Sequence, residues 1–257
     1  MTFAVQAWWT PKAGYGVSEY EDAYSVAEMR DDAPLRVAVT DGATGATFSA
    51  LWASLLAADY ASGLLTAETL PTRVPFLARD WAERVQSNPL PWYAQAKVTG
   101  EGSHAALLGV TVSPTTGDYQ ALVIGDCALF HLRPAGAGAD AYRVLLSFPF
   151  TRWSDFSGTP VLIGTRPTTQ ANIASHTVVR TGTVQAGDVL YLMSDALGAW
   201  FLRETAEGRS PWLWLAPLDL PNGDRTLTAM VRELRDNKRL KNDDVTVVRI
   251  QVFADKG

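Results

Sequence analysis

The sequence predicts an α+β fold, a sandwich of antiparallel strands covered by helices, on three observations. Short apolar-alternating segments crowd the middle of the chain, amphipathic helical stripes lie before and after most of them, and the regular βαβ alternation of a doubly wound parallel sheet is missing. With 47% hydrophobic and 19% charged residues, the composition is that of a globular chain with a substantial core. A typical domain of roughly 150 residues allows one large domain or two small ones. Because no repeat or composition shift divides the 257 residues, a single domain over 1–257 is expected.

Leu35, Val37 and Val39 alternate with Arg36, Ala38 and Thr40, which predicts a strand ending at Asp41. After Gly42 and Gly45 the period changes: Phe48, Leu51, Trp52, Leu55, Leu56 and Tyr60 form a helical stripe. Val74, Leu77, Trp81 and Val85 predict a second helix, with Pro75 in its first turn. Strands are then expected at Ala105–Val112, Tyr119–Ile124, Ala128–Leu132 and Tyr142–Leu146, the first two joined by a hairpin turn at TTGD. The AGAGADA tract at 135–141 reads as a hairpin or flap loop. Further strands are expected near Ser175–Thr181 and at Val189–Met193, followed by a helical stretch from Leu197. Asp224 is the expected N-cap of an amphipathic helix carrying Leu227, Met230, Val231 and Leu234, and Val245–Phe253 reads as a last strand.

A net charge of -5 argues against a surface that coats phosphodiester backbones, so no nucleic-acid partner is expected. The lone Cys127 cannot form an intramolecular disulfide, and the first residues lack the pattern of a signal peptide. The richest apolar stretch, Ser49–Leu65, is broken by Ser54, Asp59 and Ser62 and is shorter than the roughly 20 residues of a membrane span. A cytoplasmic setting without membrane insertion is expected.

Nucleotide-binding glycine loops, HExxH and GxSxG are all missing, and the three histidines, His104, His131 and His176, are scattered. A zinc site of His and Cys is not expected. What remains is a series of carboxylates at strand ends: Glu21-Asp22, Asp41, Asp126, Asp195 and Asp243-Asp244. A carboxylate at a strand end is held by rigid backbone while its head reaches a cleft. Several on one rim would form an oxygen-rich site for Mg²⁺ or Mn²⁺, which would lower the pKa of a bridging water and make it a nucleophile. Taken singly, each also reads as a turn or a solvated pair. The series favours an ion site, and spacing alone leaves both readings open.

The order of the surrounding motifs resembles the metal-dependent protein serine/threonine phosphatases of the protein phosphatase 2C (PPM) type. EDAYSV from Glu21, VAVTDGATG from Val37, GSHAALLGV from Gly102, VIGDCALFHLR from Val123, AGDVLYLMSDALG from Ala186 and NDDVTVVRIQV from Asn242 follow one another as that family's motifs do. The resemblance implies a four-layer α-β-β-α sandwich with central antiparallel sheets. It implies that Asp41 bridges two Mn²⁺ or Mg²⁺ ions, that Glu21 and the Gly42 carbonyl help hold one, and that Asp195 and Asp243 hold the other. Asp126 would join Asp195 at a third, weaker ion. The implied reaction is hydrolysis of phosphoserine or phosphothreonine on a phosphoprotein by the metal-bridging water, and a cognate Ser/Thr kinase is the implied partner. The oligomeric state stays open.

The chain departs from the family pattern around these carboxylates. Val17 stands where an arginine usually clamps substrate phosphate, and Lys12 is the nearest upstream cation. Ala43 stands where some members carry a histidine, Ala196 replaces the glycine of S-D-G, Cys127 a serine, His104 a threonine, and Asp244 an asparagine. A positive φ at Ala196 would strain that turn. These changes spare the metal carboxylates and alter their surround, so a catalytically weakened regulatory or binding module is the alternative expectation. Trp8, Trp9, Trp153, Trp212 and Trp214 are expected to pack under a flap rather than form a partner surface, and RELRDNKRLK at 232–241 is expected to be a solvated helix end.

Overall fold

The computed structural model describes residues 1–28, 33–87, 98, 100–136 and 141–254. Its strands are β1 (Thr2–Thr10), β2 (Ala23–Val26), β3 (Leu35–Gly42), β4 (His104–Val112), β5 (Asp118–Ile124), β6 (Ala128–Pro134), β7 (Tyr142–Phe148), β8 (Ile163–Gly164), β9 (Val178–Thr183), β10 (Val189–Met193) and β11 (Val245–Phe253). The longer helices are α1 (Ser49–Ala61), α2 (Leu70–Gln86), α3 (Asp195–Ala206) and α4 (Gly223–Asp236). One sheet runs β1-β11-β10-β6-β7, the other β2-β3-β4-β5-β9 with β8 beside β4, and every pairing is antiparallel.

The alternation of side chains along each strand builds the layers. On β3, Leu35, Val37 and Val39 face β11's Val248 and Ile250 and β10's Leu190 and Leu192, forming an apolar layer between the sheets. The intervening Ala38, with Leu107, Leu122 and Ile124, packs under Trp52, Leu56, Tyr60, Val74 and Trp81 of α1 and α2. On the far side, Phe130, Tyr191, Met193 and Val247 pack under Trp200 and Phe201 of α3 and Leu227, Val231 and Leu234 of α4. The result is the α-β-β-α sandwich with antiparallel sheets. The close approach of α1 explains one glycine: a Cβ on Gly109 would lie 2.3 Å from the Tyr60 ring.

Most predicted elements sit within a few residues of their expected positions. β1 has no counterpart among them, although Phe3, Val5 and Ala7 alternate toward the inter-sheet layer. α2 starts at Leu70, so Pro71 occupies its first turn and Pro75 lies inside the helix. Ser175 and His176 belong to a 3-10 turn, and β9 begins only at Val178. Asn222, with φ 80°, precedes α4, which places Asp224 in its first turn instead of at the cap. The expected loop at 135–141 lies mostly outside the described residues. Trp8 is in the core and Trp212 and Trp214 pack against it, whereas Trp153 is exposed. No described helix is long and apolar enough to cross a membrane.

Candidate metal centre

At one end of the sandwich the inter-sheet layer turns polar. Asp41 is the next inward position of β3 after Val39, and Thr246 and Asp244 continue the inward row of β11 beyond Val248. Ser194, just past the end of β10, continues the row of Leu192 in the same sense. Asp22, just before β2, enters this layer from the opposite sheet: Thr246 Oγ1 donates to Asp22 Oδ2 at 2.6 Å. Ser194 Oγ accepts the Thr246 N–H at 3.0 Å, and the Tyr20 hydroxyl pairs with Thr246 Oγ1. The other Asp22 oxygen, Oδ1, is buried with no hydrogen-bond partner.

Asp244 ties three distant pieces of chain together. Its Oδ1 accepts the Lys12 N–H and its Oδ2 the Glu21 N–H, both at 2.8 Å. This clasp sets Glu21 against Gly42, where a Cβ would fall 2.5 Å from the Glu21 carbonyl oxygen and 3.0 Å from Ser49. Glycine is therefore required there by close packing. Both Glu21 carboxylate oxygens have protein partners: Lys12 Nζ donates to Oε2 at 2.8 Å, and the Ser49 hydroxyl to Oε1 at 2.6 Å. Lys12 Nζ also reaches Thr44 Oγ1 at 3.3 Å. Burial works against the Lys12 ammonium, but the Glu21 hydrogen bond and the surrounding carboxylates carry its pKa above the ordinary lysine value.

The remaining acids come from turns at the same end. Gly125, with φ +97°, makes the turn between β5 and β6 that carries Asp126; a Cβ on Gly125 would meet Ala106 at 2.5 Å. Asp195 opens α3 immediately after the Ser194 N-cap, where the helix dipole favours a carboxylate. Lys241 Nζ joins Asp195 Oδ2 at 3.1 Å to Asp243 Oδ2 at 2.7 Å.

The electrostatics are those of like charges held together. Burial raises the Asp41 pKa well above the usual carboxylate range, and the charges acting on it next are all of its own sign, those of Asp22, Asp195, Asp126 and Asp243. Burial, then the Asp195 charge, lifts Asp126 to about 6. Burial lifts Asp22 to about 8, against the Thr246 hydrogen bond and with the charge of Asp244. Burial also raises Asp195, although Lys241 pulls it down.

Of the predicted site residues, Asp41, Asp126, Asp195 and Asp243 thus face one another closely enough to interact, and Glu21 and Gly42 adjoin each other beside them. Among the described residues, no three His, Cys, Asp or Glu side chains are set to hold an ion as they stand. Lysine ammonium groups lie on oxygens of Glu21, Asp195 and Asp243 instead. The donor set nevertheless fits a hard divalent cation: its donors are all oxygen, it crowds negative charge, and it includes the unpartnered Asp22 Oδ1.

Three residues outside the implied ligand set, Asp22, Lys241 and Lys12, take part in the site. Asp22, part of the strand-end carboxylate series but not of the implied ligand set, is buried more deeply than Asp195. The run at 232–241 is not simply solvated, because Lys241 reaches Asp195 and Asp243, and Arg235 is half-buried and donates to the Asp243 carbonyl. Val17 is 67% exposed in a 3-10 turn, and buried Lys12 is the cation beside Glu21. Ala196 lies in the first turn of α3 and is not among the residues with positive φ, so the loss of glycine there causes no strain. His104 lines a polar cavity of about 730 Å³ with Ala43, Thr44, Gly102 and Arg166, next to the Asp41-Gly42 turn.

No protein-family model and no curated protein matches the chain. Solved structures do. The catalytic domain of the serine threonine protein phosphatase PstP, in complex with 2 manganese ions, is 19% identical, with a TM-score of 0.56 over 98% of this chain and 100% of that one. A bacterial serine phosphatase aligns over 100% of both chains at 13% identity and a TM-score of 0.61. Serine/threonine phosphatase Stp1 from Staphylococcus aureus aligns over 99% of this chain and 96% of its own, at 12% identity and a TM-score of 0.61. The chain thus has the fold of the protein phosphatase 2C (PPM) type serine/threonine phosphatases.

Proposed function

We propose that the chain, as one domain over 1–257, is a divalent-metal-dependent protein serine/threonine phosphatase. The observation that carries this reading is the crowding of Asp22, Asp126, Asp195 and Asp243 around buried Asp41, an accumulation of like charge that a bound divalent cation would offset. Asp41, Glu21 and the Gly42 carbonyl would hold one ion, Asp41 with Asp195 and Asp243 a second, and Asp126 with Asp195 a third, weaker one. Mn²⁺ or Mg²⁺ bound there supplies charge neutralisation for phosphate oxygens and acidifies a water into a nucleophile.

The chain's own residues do the positioning. Thr246 and Ser194 fix Asp22, and Asp244 holds the Glu21 backbone against Gly42. Lys12 places a buried positive charge between Glu21 and Thr44 beside the Asp-Gly turn, where its field would favour a phosphate monoester without the bidentate grip of an arginine. The cavity beside that turn is open to a phosphopeptide. The substrate is a cytoplasmic phosphoprotein, and a Ser/Thr kinase is its natural counterpart.

Two observations favour a second reading, a phosphatase-like regulatory module: Val17 presents no cation to a phosphate, and lysines lie on the ligand oxygens. An assay with a phosphothreonine peptide and para-nitrophenyl phosphate, with and without Mn²⁺, separates the two. Mn²⁺-dependent release abolished by Asp41→Asn supports the enzyme. Mn²⁺ binding without release supports the module, and turnover untouched by Asp41→Asn overturns the site.

A further inference from the structure

Glu21 and the Asp195–Asp243 pair each carry a lysine ammonium, and the two lysines differ in one respect. Lys12 has a side chain only 7% exposed, and its backbone N–H is clasped by Asp244. Lys241 is 65% exposed, yet its Nζ lies 3.1 Å from Asp195 Oδ2 and 2.7 Å from Asp243 Oδ2. Lys12 is therefore built in, whereas Lys241 can swing into solvent at small cost in desolvation or packing.

We infer that Lys241 is a resident competitor for the ion position formed by Asp195 and Asp243. Its ammonium bridges the two carboxylates when no ion is bound and must withdraw before a divalent cation takes the same oxygens. This role rests on the proposed metal centre and adds its regulation. Two carboxylates, one opening α3 and the other leading into β11, would otherwise repel each other. The ammonium keeps them paired, so the site stays assembled while empty. The same ammonium weakens ion binding twice, by occupying the oxygens and by repelling an incoming cation. Filling this position then takes a higher free metal concentration than a site of carboxylates alone would need.

The test is calorimetric titration of the full chain with MnCl₂ at one pH, for wild type, Lys241→Met and Lys241→Arg, accompanied by thermal melts. Methionine keeps the side chain long and removes the charge. Lys241→Met should bind Mn²⁺ at least about tenfold more tightly at one position, and Lys241→Arg should stay within about threefold of wild type. Adding Asp195→Asn to Lys241→Met should erase the gain. In melts, Lys241→Met should unfold below wild type without Mn²⁺ and above it in excess Mn²⁺, a crossing that a merely structural lysine would not produce. Equal or weaker Mn²⁺ binding by Lys241→Met overturns the competitor role and leaves the metal centre standing. If no variant binds Mn²⁺, the metal centre itself falls and the competitor role with it.

Discussion

Replacing Asp126 by Asn should stabilise the metal-free protein, and by an amount that depends on pH. Asp126 sits on the Gly125 turn with its pKa moved from 3.8 to about 6, by burial first and the Asp195 charge second. A carboxylate whose folded-state pKa is raised holds its proton more tightly in the native than in the unfolded state. Stability therefore falls as pH rises from about 4 to about 6, and the full penalty persists above that. A tenfold change in proton affinity corresponds to about 1.4 kcal/mol, which gives roughly 3 kcal/mol for this carboxyl. Solvent around a half-buried group reduces this to about 1–2 kcal/mol. A chain of this size gains about 2–4 °C in Tm per kcal/mol, so Asp126→Asn should melt about 2–8 °C above wild type at pH 8 and level with it at pH 4. Differential scanning calorimetry in EDTA at several pH values measures this. A variant that melts lower at pH 8, or equally higher at pH 4, would refute the electrostatic account of the cluster. Because Asn keeps the shape and one acceptor oxygen, lost packing would not explain either result.

Asp41→Asn should abolish Mn²⁺-dependent hydrolysis and remove most of the Mn²⁺-induced rise in Tm, which for wild type corresponds to about 2.7 kcal/mol when Mn²⁺ is at about 100 times its Kd; undiminished stabilisation would exclude Asp41 as a ligand. Lys12→Met leaves the Glu21 carboxylate without its buried cation and should cost about 2–3 kcal/mol in urea denaturation, together with a higher KM for phosphopeptide. Gly42→Ala should cost about 1–3 kcal/mol by the same measurement, because the added methyl would overlap the Glu21 carbonyl, and it should weaken Mn²⁺ binding as Glu21 moves away.

The fold was legible where burial imposes a clear period. The alternation of Val37, Ala38 and Val39 reports a strand with two apolar faces, and the stripe from Trp52 to Tyr60 a helix that covers one of them. It was less legible where the pattern is diluted: β1 pairs only with β11 and keeps most of its residues half-buried, so its alternation is weak. At the site, acids at strand ends announced themselves because the apolar strands before Asp41 and Asp195, and after Asp243, are unmistakable. Asp22 belonged to the same series, ahead of the Ala23–Val26 strand, but nothing local marked it as more deeply placed than Glu21, because its burial arises from Thr246 and Ser194, which are far away in sequence. Lys241 was hidden for the opposite reason. In a basic run after a helix, a lysine that reaches two carboxylates looks the same as one that reaches water, until the turn from α4 into β11 is built.

The Asp244 clasp has a consequence for how the protein is made. Its partners lie 232 and 223 residues away along the chain, so the loop it closes is among the longest the fold contains, and closing it carries a correspondingly large cost in chain entropy. No short stretch of the sequence gathers more than two of the site's carboxylates by itself. An ion at the proposed centre would therefore have little to hold on the unfolded chain; it would be a lock turned after assembly and not a template that guides it.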